Sequence, residues 1–142
     1  MGLWNFIKDA GKAIGIGGSD DAPGDKLKAE IADLGLDASG VDIVVDGDTV
    51  KISGDAVSQE VKEKIILAAG NIEGIAAVDE AVAVPDAGDA VFHTVEKGDT
   101  LWAISTKTLG NGARYEEIFE ANKPMLSHPD KIYPGQVLRI PV

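Results

Sequence analysis

Two short stretches without hydrophobic periodicity divide the chain and limit what it can fold into. Residues 15–24 (GIGGSDDAPG) and 85–90 (PDAGDA) are rich in Gly, Pro, Asp and Ala, a composition typical of linkers. They separate a short N-terminal segment, residues 1–24, from one module at residues 25–84 and another at residues 91–142. Modules of about 60 residues bury little core and seldom enclose a deep pocket, so we expect two small binding modules rather than an enzyme.

The acidic residues restrict the partners that the chain can bind. The 142 residues contain 24 Asp and Glu against 13 Lys and Arg, which gives a formal net charge of −11. Residues 25–84 alone hold 13 acidic and 5 basic groups, a net charge of −8. Nucleic acids and anionic membrane surfaces are therefore poor partners because they are repelled, whereas cations are attracted.

The chain contains no cysteine and no long apolar run. The first observation excludes disulfide scaffolds, Cys-ligated metal sites and thiol nucleophiles. The N-terminal residues lack the continuous apolar core of a signal peptide, and no stretch approaches the roughly 18 residues of a membrane span. Phe6 stands where a myristoylation motif requires Ser or Thr. The sequence therefore predicts a cytoplasmic protein without a membrane anchor.

Apolar residues in the N-terminal segment recur at helical spacing. Leu3, Ile7, Ala10 and Ile14 would share one face of a helix. Because an isolated helix of this length is marginal in water, we expect an amphipathic helix that docks on a neighbouring module.

The middle module predicts the order helix, strand, strand, helix, strand. Asp25 can cap the first helix, and Asp46-Gly47 is typical of the tight turn of a β-hairpin. Ser58 can cap the second helix, which is predicted to end at Gly70. Alternating valines after this helix indicate a third strand.

Two segments of the middle module resemble a known family. The strand TVKISG at residues 49–54 and the segment GIAAVDEAVAV at residues 74–84, with the turn and helices around them, resemble a BON domain. The resemblance covers nearly all of residues 25–84 and implies an α+β fold.

The last module resembles a LysM domain in FHTVEKGDTLWAIS (residues 92–105), YEEIFEANKPML (115–126) and IYPGQVLRIP (132–141). Its pattern also predicts a β-α-α-β outline in which Asp99 or Thr100 caps the first helix. LysM domains commonly bind glycans that contain N-acetylglucosamine, through the loops after the first strand and the second helix. The resemblance thus implies a glycan groove, and its residues carried over by position are Gly98, Asp99, Thr100, Leu101, Trp102, Asn122, Pro124 and Met125.

The sequence contains no motif for catalysis. His93 and His128 lack the spacing of metal ligands, and the acidic turn around Gly47 lacks the rest of a calcium-loop framework. There is no nucleophile elbow, phosphate-binding loop or dinucleotide-binding glycine motif. We therefore expect no enzyme activity and no catalytic residue.

Two binding functions are compatible with these modules. In one, the LysM domain anchors the protein to peptidoglycan. In the other, the chain is a potassium sensor, because MGLWNFIKDAG, GNIEGIAAVDE and FEANKPMLSHPDKIYPGQVLRIP are similar to a family of small cytoplasmic bacterial proteins that join one BON and one LysM domain. That resemblance implies a monomer that binds potassium, with rubidium and caesium as alternative ions, and whose two domains draw together on binding.

The same resemblance implies a potassium site made of backbone carbonyls in the BON domain. Several neutral carbonyls suit this large ion better than a carboxylate cage does, and unpaired carbonyls occur at helix C-termini. The two predicted helix ends are residues 7–11 and 68–75. From the residues alone, the second segment is more simply a glycine-capped helix followed by a loop. The family's binding segments match the carbonyls of Ile7, Ala10, Gly70, Ile72 and Ile75.

Overall fold

The chain divides into two units, Met1–Gly88 and Asp89–Val142, each with its own β-sheet. The computed structural model describes residues 2–7, 23–88, 90–123 and 125–141. Among the helices within those ranges, none combines the length and the apolar composition needed to cross a bilayer.

The first unit is a four-stranded sheet with two helices. In chain order, its elements are β1 (Gly2–Asn5), α1 (Pro23–Asp33), β2 (Val41–Asp46), β3 (Thr49–Asp55), α2 (Gln59–Gly70) and β4 (Ala77–Ala83). The strand order is β1-β4-β3-β2, in which β3 and β4 run parallel and the other neighbours run antiparallel. The predicted order of helix, strand, strand, helix, strand is confirmed by α1 to β4.

Local sequence signals set the hairpin and the start of α2. The chain turns between β2 and β3 at Gly47 and Asp48, and Gly47 has a φ of +64°, as the first central residue of a type II′ turn requires. The Ser58 hydroxyl oxygen accepts a hydrogen bond from the Val61 N–H at 3.1 Å. The predicted N-cap of α2 is thereby confirmed.

Helix α1 begins earlier than the sequence predicts. Its first residue is Pro23, so the prediction that Asp25 caps the helix is wrong, and Asp25 lies in the first turn. Proline suits the first helical position because its fixed φ is already helical and its missing N–H would have no partner there.

The predicted N-terminal helix is also wrong for the residues that the structure describes. Gly2–Asn5 forms strand β1, which pairs antiparallel with β4 and places Trp4 opposite Val78. The edge of β4 offers a row of backbone N–H and C=O groups, and a strand can satisfy them whereas a helical turn cannot. Ala10 and Ile14, which complete the predicted helical stripe, lie outside the described residues.

Burial along this segment follows the period of a strand. Phe6 is 7% exposed and Trp4 is half-buried, whereas Leu3, Asn5 and Ile7 are exposed. Alternate residues of a strand point to opposite faces, so the two aromatic side chains turn inward together. The alternation of aromatic residues was a strand signal that the helical interpretation overlooked.

One face of the sheet packs against the helices and forms the core of the first unit. Val50 and Ile52 of β3 and Val78 of β4 are almost fully buried, as are Leu27 and Ile31 of α1. Buried and exposed residues alternate along β3 and β4, which is typical of a sheet covered on one face. Burying each such aliphatic side chain stabilises the unit by about 1.5–3 kcal/mol.

A buried ion pair connects α2 with this covered face. Glu80 on β4 is 3% exposed, and its Oε2 lies 3.1 Å from the Nζ of Lys62 on α2. The same oxygen accepts a hydrogen bond from the Val82 N–H at 3.0 Å. Because a buried carboxylate is costly without partners, this pair favours one position of α2 over β4.

The second unit has the predicted β-α-α-β outline. Its elements are β5 (Phe92–Thr94), α3 (Leu101–Leu109), a 3₁₀ turn (Gly112–Arg114), α4 (Tyr115–Ala121) and β6 (Val137–Arg139). Strands β5 and β6 pair antiparallel. Thr100 is the N-cap of α3, since its hydroxyl oxygen accepts from the Ala103 N–H at 3.1 Å. The core consists of Val95, Leu101, Ile104, Ile118, Leu126, Leu138 and Ile140.

We expect Glu80→Ala to lower the free energy of unfolding by about 3 kcal/mol, because the Lys62 ammonium and the Val82 N–H lose their buried acceptor. Urea denaturation followed by circular dichroism measures the change. Asp46→Ala is the control, since it removes an ion pair with Lys51 whose side chains are more than half exposed, and such pairs stabilise little. Equal losses in the two variants would contradict the prediction.

Candidate functional site

The loop between α2 and β4, residues 71–76, is held by its own buried side chains. Ile72 is 2% exposed and Ile75 is fully buried. The Ile75 N–H donates to the Ile72 carbonyl at 3.1 Å, which closes a tight turn. Gly74 stands inside that turn with a φ of +100°, a conformation that favours glycine. Because the isoleucine side chains point into the core, the backbone between them has a defined position.

Both ends of this loop are tied to other parts of the first unit. At its start, the Asn71 N–H donates to the Leu67 carbonyl at 2.9 Å and ends α2. At its end, the Ala76 N–H donates to the Asp48 carbonyl in the hairpin turn at 2.8 Å. The Ala76 carbonyl in turn accepts from the Phe6 N–H at 2.9 Å.

The side chain of Phe6 also contacts Gly70, the last residue of α2, directly before the loop. The end of its ring lies against Gly70, so closely that a Cβ on Gly70 would overlap the ring. Gly70 is buried, and Phe6 is 7% exposed. Phe6 therefore reaches the last residue of α2 with its side chain and the end of the loop, at Ala76, with its backbone.

The structure brings four of the five predicted potassium ligands to one end of the first unit. Ile7 directly follows Phe6, whose contacts place it beside the loop that carries Gly70, Ile72 and Ile75. The fifth predicted ligand, Ala10, lies outside the described residues. The sequence predicts the Ile7 carbonyl at the C-terminal end of a helix, and this is wrong for the residues before it, because Gly2–Asn5 forms strand β1.

The carbonyls of the loop differ in their availability. The Ile72 carbonyl accepts the bond from Ile75, whereas no backbone N–H of a turn, loop or cap among the described residues donates to the carbonyl oxygen of Gly70 or Ile75. The described ranges also contain no group of three His, Asp or Glu side chains close enough to hold a metal ion. Apart from the side chains of Asn71 and Glu73, the oxygens that this loop offers to a cation belong to the backbone.

The second unit contains a separate concavity of about 520 Å³. Its lining consists of Thr100, Leu101, Trp102, Tyr115, His128, Pro129 and Asp130. Trp102 is 56% exposed, and its ring centroid lies 6.0 Å from that of Tyr115 with the planes tilted by 42°. The Trp102 ring also covers Gly112, where a Cβ would overlap it. The concavity thus presents aromatic surface in a fixed orientation.

Three predicted groove residues, Thr100, Leu101 and Trp102, belong to this lining, although most of Leu101 is buried in the core. Tyr115 and the turn at residues 128–130 were missed. The turn signal His128-Pro129-Asp130 directly after the predicted second loop could have indicated them.

The other predicted groove residues are placed elsewhere. Asn122 is 2% exposed and joins α4 to β6: its amide nitrogen donates to the Ile118 and Arg139 carbonyls, and its oxygen accepts from the Arg139 N–H at 2.7 Å. Gly98 lies in a turn with a φ of +89°, and Met125 is half-buried outside the lining. Pro124 lies outside the described residues.

Asp99 holds the turn before α3. Its Oδ2 accepts a hydrogen bond from the Glu96 N–H at 2.9 Å and lies 3.3 Å from the Nε2 of His93. These contacts, the backbone hydrogen bond first, hold the pKa of the Asp99 carboxyl below its ordinary value of 3.8. His93 on β5 therefore has a structural contact with the turn before α3.

Comparison with known proteins identifies both modules. The sequence model of the BON domain matches residues 19–86, and that of the LysM domain matches residues 93–141, which confirms both resemblances. "Potassium binding protein Kbp" of Escherichia coli O6:H1 is 49% identical over 147 residues, which cover 99% of each chain. An uncharacterized Bacillus subtilis protein, YqbP, is 36% identical over 34% of this chain and 26% of its own length. An uncharacterized protein of Deinococcus radiodurans is 45% identical over 39% of this chain and 21% of its own length.

We expect Asp99→Asn to lower the melting temperature of the second unit at neutral pH, with a difference from the wild type that shrinks on acidification. A carboxyl whose pKa is lowered on folding stabilises the fold fully above its unfolded pKa, here about 3.8, and that stabilisation is lost as the pH falls through the lower folded value. NMR signals of the second unit, followed during heating at several pH values, measure the difference.

The control is Asp130→Asn, whose side chain is 92% exposed and 3.9 Å from His128. It should change the melting temperature little at any pH. A difference between Asp99→Asn and the wild type that persists undiminished well below pH 3.8 would contradict the assignment.

Proposed function

The chain belongs to the family of BON and LysM domain proteins that includes potassium binding protein Kbp, and from this premise we propose that it binds potassium through the BON unit. The proposed ligands are the backbone carbonyls of Ile7, Ala10, Gly70, Ile72 and Ile75. The observation that carries the proposal is the double contact of Phe6, which brings Ile7 beside the loop after α2 in a chain with a full-length potassium-binding relative.

The backbone of the loop offers oxygens of the kind that hold potassium in proteins. The ion carries a single charge on a large radius, so it is held by several neutral oxygens that together replace its hydration shell. The Gly70 and Ile75 carbonyls accept no hydrogen bond from a backbone N–H of a turn or cap among the described residues. Because Ile72 and Ile75 anchor the loop in the core, little conformational entropy would be lost on binding.

The charge of the module supports attraction but not selectivity. Residues 25–84 have a net charge of −8, which raises the local concentration of any cation. Selectivity for potassium over sodium would come from the number and spacing of the carbonyls. Residues that set the backbone of the loop should therefore affect affinity more than acidic residues do.

We further propose that the protein is a sensor rather than an enzyme. BON and LysM domains are binding modules, and ion binding would draw the two units into a more compact arrangement. We also predict a role in osmotic stress, a monomeric state, a cytoplasmic location, and rubidium or caesium as alternative ions. Small-angle scattering with and without potassium would measure the compaction.

We expect potassium to raise the melting temperature at concentrations where sodium has no effect, because only an ion that binds the folded state stabilises it. Isothermal titration with each salt measures the affinity.

Gly74→Ala should weaken potassium binding about tenfold. An L-residue at positive φ costs about 1–2 kcal/mol, so the substituted loop would relax away from the conformation that presents its carbonyls.

Gly35→Ala is the matched control for this experiment. Gly35 has a φ of +83° in the turn after α1 and, like Gly74, no atoms within 4 Å of an added Cβ. Its substitution carries the same backbone penalty away from the loop, so it should leave potassium affinity unchanged. Equal thermal shifts with sodium and potassium, or equal losses of affinity in the two variants, would contradict the proposed site.

The aromatic concavity of the second unit favours one alternative function, the binding of peptidoglycan glycans. Trp102 is exposed, and Tyr115 lies beside it, so the two rings offer an apolar surface to a sugar. The His128 and Asp130 side chains at the rim add polar groups that can orient such a ligand.

If this groove binds glycan, purified peptidoglycan should retain the protein, and Trp102→Ala should reduce retention about tenfold or more, as expected for a central tryptophan. Sedimentation with peptidoglycan measures the bound fraction. The control is Val57→Ala in the first unit, a residue that is also 56% exposed. No retention of the wild type would remove this alternative.

A further inference from the structure

Phe6 contacts both Gly70, which precedes the loop of residues 71–76, and Ala76, which ends it, although Phe6 is not itself a proposed ligand. We propose that Phe6 is a positioning residue. Its ring and backbone hold the loop in the conformation that presents its carbonyls, which we call the seated form, so docking of strand β1 sets the affinity for the cation. This inference rests on the proposed potassium site.

The backbone of Phe6 ties the N-terminal strand to the end of the loop. Strand β1 pairs with β4 up to Asn5 opposite Ala77, and the Phe6 N–H extends the contact by one hydrogen bond to the Ala76 carbonyl. Ala76 is the last residue of the loop, and its N–H is held by Asp48. The loop therefore ends between the hairpin turn on one side and the N-terminal strand on the other.

The absence of a side chain at Gly70 leaves room for the Phe6 ring. Gly70 does not have a positive φ, so its backbone would accept alanine, which is the better helix former. A Cβ at this position would overlap the Phe6 ring. The glycine is thus explained by the close approach of Phe6 rather than by the conformation of the helix end.

Through these contacts, Phe6 affects the affinity of the site for the cation. The carbonyl of Gly70 lies at one end of the loop and that of Ile75 near the other, and Phe6 bridges the two ends. When a binding-competent form is populated only in part, the apparent dissociation constant rises by the inverse of that fraction. A loop that is seated one tenth of the time would bind about tenfold more weakly.

Strand β1 is suited to such a role because it is short and lies at the edge of the sheet. It spans Gly2–Asn5 and is hydrogen-bonded to β4 on one side. Short edge strands are among the elements that open at low free energy, so the contact of Phe6 with Gly70 should decide how often β1 is docked.

The test compares Phe6→Ala with a substitution of similar burial away from the loop. Ile31→Ala on α1 removes a fully buried side chain from the same core and is the control for lost stability. Each full-length variant is titrated with potassium chloride by calorimetry, at a temperature where circular dichroism shows that it is folded. We expect potassium affinity to fall about tenfold or more in Phe6→Ala and to be unchanged in Ile31→Ala.

A second comparison tests the contact itself. Gly70→Ala should also lower affinity about tenfold, because the added Cβ displaces the Phe6 ring. In the background of Phe6→Ala, the same substitution should have no further effect, since the ring is gone. The control is Gly88→Ala, where an added Cβ has open space. If Phe6→Ala does not fold, Gly70→Ala against Gly88→Ala carries the test.

The outcomes separate this inference from the proposed function. If the wild type binds no potassium, the proposed function fails, and amide exchange of residues 75–77 in potassium-free buffer still tests whether Phe6 seats the loop. If the wild type binds but Phe6→Ala matches Ile31→Ala, or if the effects of Phe6→Ala and Gly70→Ala add, Phe6 is overturned as a positioning residue. Unchanged affinity in Gly70→Ala overturns it as well.

Discussion

The ladder between β1 and β4 is the interaction on which the candidate site of the first unit depends. Strand β4 pairs in parallel with β3 on one side and antiparallel with β1 on the other. This double pairing satisfies the backbone groups of β4 and carries the chain to Phe6 at the end of the loop. Without it, Ile7 would have no defined position relative to Gly70, because the two are far apart in sequence.

Buried apolar side chains hold the backbone of the loop after α2 in position. Ile72 and Ile75 are buried, so the loop cannot move without exposing them to water. The buried pair of Lys62 and Glu80 favours one position of α2 relative to β4. The loop connects these two elements, so its two ends are held at a fixed separation. Carbonyl oxygens held in this way need no charged neighbour to keep their position, which suits a site for a singly charged ion.

The candidate sites of both units contain an aromatic ring packed against a glycine. In each, an aromatic ring occupies the space that a glycine leaves by having no Cβ: Phe6 against Gly70, and Trp102 against Gly112. The first contact is buried and joins two segments of a sheet unit, whereas the second leaves much of the indole exposed beside Tyr115. Both glycines are therefore needed for close packing, and neither has a positive φ.

Local patterns determined most of the secondary structure. The hairpin around Gly47, the caps at Ser58 and Thr100 and the β-α-α-β outline of the second unit could be predicted, because periodicity and capping involve residues within about four positions of one another. Gly70 at the end of α2 and Gly74 after it likewise pointed to the loop, and the family resemblance added its proposed ligands.

Only the tertiary structure decided what the N-terminal segment becomes and what Asn122 does. Leu3 and Ile7 fit a helix and Trp4 and Phe6 fit a strand, so the sequence pattern allowed both, and the edge of β4 selected the strand. Asn122 matched a groove position, but it bonds to Arg139, 17 positions away. The sequence determined the periodicity and the helix caps because these depend on nearby residues. The pairing of β1 with β4, the packing of Phe6 on Gly70 and the hydrogen bonds of Asn122 depend on groups that only folding brings together.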